Sequence, residues 1–365
     1  MASPTDLIKQ HRRLMICRFG NSDDVKGFTQ ILNTLLPLAI LWCAAILSAS
    51  ALPWVLVAAV PLITLLTLRV FALMHECGHG SLFRSQALNR AAGFLLGVIA
   101  GMPQYVWSQH HNYHHAHNGN WEKYRGPYAT LSTEEYAGLS PARQWLYRLK
   151  CSMAVAPIAG FIYLIFNPRF TWIRGSGAWA LHVFGRKLRH PGSSLREHVA
   201  SFKCRYWKTP REYSNMFWNN VVLLGAWALM CQVCGGGLFF GIYLLTLSVA
   251  GGIGIVLFTV QHNFEHAYAS SSEHWDYETG AIDGTSYLVL PHWLNWFTAN
   301  IGYHHIHHIS ADIPNYRLVD CHAEYEHLFG RVTRLRLAHV YGALHCILWD
   351  RHARRIISVA EYGRR

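Results

Sequence analysis

Residues 27–68 read GFTQILNTLLPLAILWCAAILSASALPWVLVAAVPLITLLTL, a run without a single Lys, Arg, Asp or Glu. About 20 apolar residues cross a hydrocarbon layer roughly 30 Å thick, so this run is too long for one crossing and suits two. A turn is expected near its midpoint, at Ser48-Ala49-Ser50-Ala51-Leu52-Pro53. Residues 213–264 form a second charge-free run, with Cys234-Gly235-Gly236-Gly237-Leu238 near its middle. Two transmembrane hairpins are therefore predicted, about 28–74 and 214–262. The intervening and following segments, 75–213 and 263–365, remain on one side, and residues 1–365 read as one domain.

Composition agrees. Only 14% of the 365 residues are charged and 52% are hydrophobic, against about 25% charged in a soluble domain. That excludes intrinsic disorder, which needs low hydrophobicity and high charge. Nine Cys in 365 residues are too sparse for a disulfide scaffold. The net charge of +12 comes with long apolar runs, which points to basic residues on one face of a membrane and not to nucleic acid. Both hairpin tips are uncharged, so the positive-inside rule places both termini and every long loop in the cytoplasm. No cleavable leader is expected, because Lys9, Arg12, Arg13 and Arg18 precede an apolar run that starts only near residue 30. Two shorter apolar stretches, Gly93–Val106 and Val155–Phe166, are expected to lie on or in the cytoplasmic leaflet. Leu335, Leu337, Val340 and Leu344 suggest a solvated helix in the tail.

The anomaly is 24 His. On a helix, residues at i, i+3 and i+4 share a face. His75 and His79 form an i, i+4 pair. His111, His114 and His115 follow the i, i+3, i+4 rule, and so do His304, His307 and His308. Neutral imidazole suits Zn, Cu, Fe and Ni. Eight such side chains are too many for one tetrahedral zinc and suit two metal ions sharing a site. The first hairpin delivers His75 and the second delivers His262 to the same face.

The segments HECGHGS (75–81), HHNYHH (110–115) and HHIHH (304–308) resemble the three histidine boxes of the integral-membrane fatty acid desaturases. The resemblance to bacterial and plastid acyl-lipid desaturases extends to Thr130–Tyr136, Gln261–Glu265, Asn300–Tyr303 and Ile313–Leu318, and covers roughly residues 30–330. It implies an all-α membrane protein: four transmembrane helices in two hairpins, with a cytoplasmic helical cap holding two non-haem irons. The implied ligands are His75, His79, His111, His114, His115, His304, His307 and His308. A further family histidine near the end of the fourth span is matched by His262. His266 departs from the family pattern and is left out; His110 and His305 are expected in supporting or packing roles.

The implied reaction is O2-dependent desaturation of a fatty acyl chain in a membrane lipid. A saturated methylene offers no acid to a base and no carbonyl to a nucleophile, so an oxidant that side chains lack must remove its hydrogen. No residues beyond the metal ligands are assigned to catalysis. The electron carrier, such as ferredoxin or cytochrome b5, is expected to be external, since no ferredoxin-type Cys run is present. Cys231 and Cys234 are read as small residues at a helix end, and His190-Pro191-Gly192-Ser193 as no cytochrome b5 fragment. Trp107, Tyr113, Trp293, Trp296 and Phe297 are candidates to line an acyl tunnel. Asn263, Asn300 and Asp312 are candidates to orient ligand imidazoles through the second ring nitrogen. Arg174, Arg186, Lys187 and Arg189 would suit a coenzyme A head group. The rival readings are a diiron hydroxylase or ketolase acting on a lipid or carotenoid, and a His-rich metal- or haem-binding membrane protein without catalysis.

Overall fold

The computed structural model describes residues 4–126 and 129–364. The first hairpin consists of helices Asp24–Ser48 and Pro53–His79, with its turn where the Ser/Pro signal placed it. Asp23 caps the first of these, its carboxylate accepting from the Val25 and Lys26 amides. The second hairpin consists of Pro210–Cys234 and Gly236–His262. Gly235 joins them with φ at +79°, a conformation that favours glycine. Both hairpins exceed their predicted bounds by a few residues, because charged Asp24, Lys26, Glu76, Arg211 and Glu212 are taken into the helices.

Among the described residues, five helices are long and apolar enough to cross a membrane. The fifth is Met153–Arg189, a single helical rod with a π segment at Ile162–Phe166. The apolar stretch Val155–Phe166 is thus less than half of a longer element. Its Gly160 lies against the Gly236–His262 helix so closely that a Cβ would come within 2.4 Å of Ser248 O and Gly252 N. The buried Arg169 side chain donates to the carbonyls of Leu164 (2.9 Å) and Ile165 (3.2 Å) at the π segment, and to Gly101 O (2.7 Å) and Asn220 Oδ1 (2.7 Å). The Gly93–Val106 stretch is broken in two, into helices Gln86–Ile99 and Gln104–His117, by a turn at Gly101 with φ at +73°.

The chain is mostly helical, 69% of it, but five short strands amend the all-α expectation. Leu131–Ser132 runs parallel to Leu348–Asp350, which pairs antiparallel with Arg355–Ile357. Ser286–Val289 runs parallel to Thr333–Arg336, with Leu288 opposite Leu335. The stretch 335–344 expected as one helix therefore divides into the end of the strand Thr333–Arg336 and the helix Leu337–Ala343. Within the strand the alternation is period 2, with Leu335 buried between exposed Arg334 and Arg336, whereas Leu337 is exposed and opens the helix. The strands and remaining helices pack around the end of the hairpins where His79 and His262 stand.

Candidate metal centre

Each hairpin ends in histidine. His75 and His79 occupy the last turns of Pro53–His79, and His262 is the final residue of Gly236–His262. His111, His114 and His115 lie on Gln104–His117, and His304, His307 and His308 on the short helix His304–Ile309. The structure brings all nine together as two groups: His75, His79, His111, His115 and His307, and His114, His262, His304 and His308. Within each group, one nitrogen per residue lies within 4.8 Å of every other. The second and third boxes are each divided. His111 and His115 stay together as an i, i+4 pair while His114 turns to the other group; likewise His304 and His308 stay together while His307 turns away.

Ring nitrogens face one another inside the groups. His75 Nε2 lies 2.8 Å from His111 Nε2, His115 Nε2 lies 3.0 Å from His111 Nε2, and His79 Nε2 lies 3.3 Å from His75 Nε2. His262 Nε2 lies 3.1 Å from His114 Nε2 and 2.9 Å from His304 Nε2. Nitrogens bound at about 2.1 Å to one ion and about 90° apart lie about 3 Å from each other. The spacing therefore fits a cation between the rings. Both nitrogens of His307 and of His308 are buried without a hydrogen-bond partner among the described residues, and such orphaned groups are costly unless something occupies them. Burial, and secondarily the neighbouring imidazoles, holds His111, His114, His115, His304, His307 and His308 well below the usual histidine range. They are neutral at pH 7, the form that binds metal.

The second ring nitrogens have partners that the sequence reading did not name. His75 Nδ1 donates to Glu76 Oε1 at 3.0 Å. The other oxygen, Glu76 Oε2, accepts from the Asn315 amide at 3.0 Å and from Ser81 Oγ at 3.2 Å. His262 Nδ1 faces the Gly284 carbonyl at 3.3 Å, which also accepts from Asn118 at 3.2 Å. Glu76 was visible in the first box, next to His75, and the general pairing of a ligand histidine with a carboxylate was the available signal.

The three residues expected in that role are occupied elsewhere. Asn263 donates to Thr130 Oγ1 and to the Cys346 carbonyl, Asn300 donates to the Asn315 carbonyl, and exposed Asp312 accepts from Ser310. They were chosen for nearness in sequence, and their side chains are drawn off to backbone carbonyls and hydroxyls. His110 is exposed and His305 pairs with His322 at 3.1 Å, so both stand outside the two groups as expected. His266 is also outside, with Nδ1 on the Arg355 guanidinium.

A cavity of about 630 Å³ reaches His75, His111, His114 and His304 at one end, within the usual range of ligand sites. It continues between the hairpin helices to Thr67, Leu68, Ala250 and Gly251, and is walled on another side by Ile158, Ile162 and Leu164. Its lining is mainly apolar, with Thr67, Lys150, Asn167, Gln261 and Thr298 as polar members beside the histidines. Of the expected tunnel aromatics, Trp107 lines it and stacks on His111 with 4.5 Å between ring centroids. Tyr113, Trp293, Trp296 and Phe297 are not in its wall. Trp107 is one helical turn from His111 and shares its face, whereas Tyr113 is two residues on, points to the opposite side and is 48% exposed. Trp293 is exposed, and Trp296 lies under Arg69, whose guanidinium is 3.9 Å from its ring centroid. Phe258 takes the place expected of those aromatics, touching the rings of His114 and His262.

Comparison with known proteins agrees with this geometry. The family model described as fatty acid desaturase matches residues 50–339. A protein named fatty acid desaturase from Bacillus subtilis is 29% identical over 344 residues, covering 94% of this chain and 88% of its own. An sn-1 oleoyl-lipid 12-desaturase from Picosynechococcus is 25% identical over 350 residues, covering 90% and 87%. A temperature-sensitive sn-2 acyl-lipid omega-3 desaturase (ferredoxin) of the Arabidopsis thaliana chloroplast is 26% identical over 275 residues, and the match spans 55% of its length. With the family model matching most of its length, the chain belongs to the fatty acid desaturase family of oxidoreductases.

Proposed function

We propose that this protein desaturates the acyl chains of membrane lipids, using O2 and two non-haem irons held by the nine grouped histidines. The observation that carries this reading is the apolar cavity that ends on both histidine groups. Iron at these groups, with O2 and two electrons from an external carrier such as ferredoxin or cytochrome b5, supplies the oxidising power to take two hydrogens from a saturated chain. The protein's own part is binding and placement. Apolar walls draw in a hydrocarbon tail and exclude water, Trp107 and Phe258 wedge it beside the imidazoles, and Glu76 and the Gly284 carbonyl fix ring orientation. Position along the cavity then selects the carbon attacked.

The same reading gives the topology. Four helices cross the membrane in two hairpins, and segments 75–213 and 263–365 form a cap over the site. His114 on one hairpin's extension lies 3.1 Å from His262 at the end of the other. The chain between them must therefore cross an even number of times. The second hairpin provides two crossings, so Met153–Arg189 does not complete a third. The excess of Lys and Arg on the cap side supports a cytoplasmic site with both termini inside, in a bacterial inner membrane.

The test is expression in a bacterium without desaturases, with mass spectrometry of its fatty acids. Chains lighter by two hydrogens, formed only with O2, are expected. Chains that gain oxygen would move the protein to a hydroxylase or ketolase.

A further inference from the structure

In its histidine-bearing half the helix Gly236–His262 carries glycines at 251, 252 and 254, and of these three packing explains only the first two. A Cβ on Gly251 would come within 2.9 Å of Gly160 Cα, and one on Gly252 within 2.8 Å of the Ala156 backbone. Those two positions let the Met153–Arg189 helix cross closely. At Gly254 a Cβ would meet only Leu68 Cδ1, at 3.8 Å, an ordinary contact. Alanine would fit there and would favour the helix more than glycine does. Gly254 and Leu68 both line the cavity, so the side chain missing at 254 is space left open within it.

We infer that Gly254 is the position that determines acyl specificity: its bare backbone admits the methyl end of the chain past the histidines. This rests on the desaturase reading above. Gly254 stands eight residues before His262, about 12 Å along the helix axis. Phe258, one turn closer to the site, marks the reacting end, and Ala250 and Leu164 mark the deep end. An ester or phosphate at the deep end would find only Thr67 and Asn167 as hydrogen-bonding side chains in a wall that is otherwise apolar there, too few for its oxygens, whereas a methyl group needs none. The tail's free end therefore lies there, and a side chain at 254 would fill the space it uses.

The experiment compares the full-length protein with Gly254→Ala and Gly254→Leu in a desaturase-free bacterium fed saturated acids of graded chain length. Chain length and double-bond position are read by mass spectrometry, and iron content and thermal unfolding are read on purified protein. We expect iron content and unfolding temperature to hold. The ratio of products from shorter to longer chains should rise about tenfold or more for Leu and less for Ala, or the double bond should move toward the methyl end. An active Leu variant with an unchanged profile overturns the inference. So does an equal loss across all chain lengths with iron retained. Should Gly254→Leu fail to fold, the graded shift in Gly254→Ala decides, and its absence overturns the inference. Gly252→Leu, at the helix crossing but outside the cavity wall, should lower the yield of folded protein without shifting the profile. Failure of the unmodified protein to desaturate any chain would instead reject the reading on which the inference rests.

Discussion

His115 and His308 stack face to face, with 4.1 Å between ring centroids and 16° between planes, although they belong to different histidine groups. They come from the second and third boxes, and their contact joins the two halves of the site. Loss of either ring should therefore disturb both groups. His115→Ala and His308→Ala are each expected to lower iron content below that of the intact protein and to reduce desaturation to background, while the protein still inserts. His352→Ala, on an exposed turn outside both groups, should change neither. Metal analysis of the purified variants checks this.

Glu76 acts through His75. Glu76→Ala removes the acceptor for His75 Nδ1 and frees the Asn315 amide and Ser81 hydroxyl that it engages. Iron affinity should fall about 10–100-fold. Glu76→Gln keeps an acceptor oxygen and should lose less. Competition with a graded chelator measures both.

Trp107 and Tyr113 separate contact from proximity. Trp107→Ala enlarges the cavity beside His111 and should lower turnover about tenfold or more. Tyr113→Ala should leave turnover unchanged, since its ring packs on His117 outside the cavity. Acyl product formed per unit of protein distinguishes them.

Arg69 is buried in the first hairpin, where it donates to Thr34 Oγ1 at 2.9 Å, to Gln30 Oε1 at 3.4 Å and to the Trp296 carbonyl. It ties that hairpin to the segment leading into the third box. Arg69→Met should cost about 1–3 kcal/mol by leaving buried acceptors unsatisfied, seen as a lower unfolding temperature in detergent.

Much of this was legible in the sequence because it rests on two periodicities. Charge-free runs of about twice the bilayer length announced the hairpins, and Ser48–Pro53 and Gly235 announced their turns. The i, i+3, i+4 spacing of His111, His114 and His115 identified them as a set. Spacing did not reveal that the set is shared. Around the helix axis His114 is about 60° from His111 and about 100° from His115, and only the approach of His262 from another helix decides which group it joins. The supporting partners were missed for a related reason. Asn263, Asn300 and Asp312 are near ligands along the chain, but their own hydrogen-bonding groups find closer partners in backbone carbonyls and hydroxyls. The tail strands at 333–336 and 348–350 form by pairing with residues 286–289 and 131–132, a tertiary event without local signature in an Arg-rich stretch. Met153–Arg189 outgrew its apolar core because Arg169 satisfies carbonyls loosened at the π segment.

The central claim is that the nine histidines form two iron sites. The direct measurement is metal content of the purified, active protein by elemental analysis, set against protein concentration. The account predicts one iron for each histidine group, two per chain, no haem absorption and no stoichiometric zinc, with iron reduced in His308→Ala. A protein that is active with zinc or haem as its only metal, or that keeps full iron in His308→Ala, would contradict it.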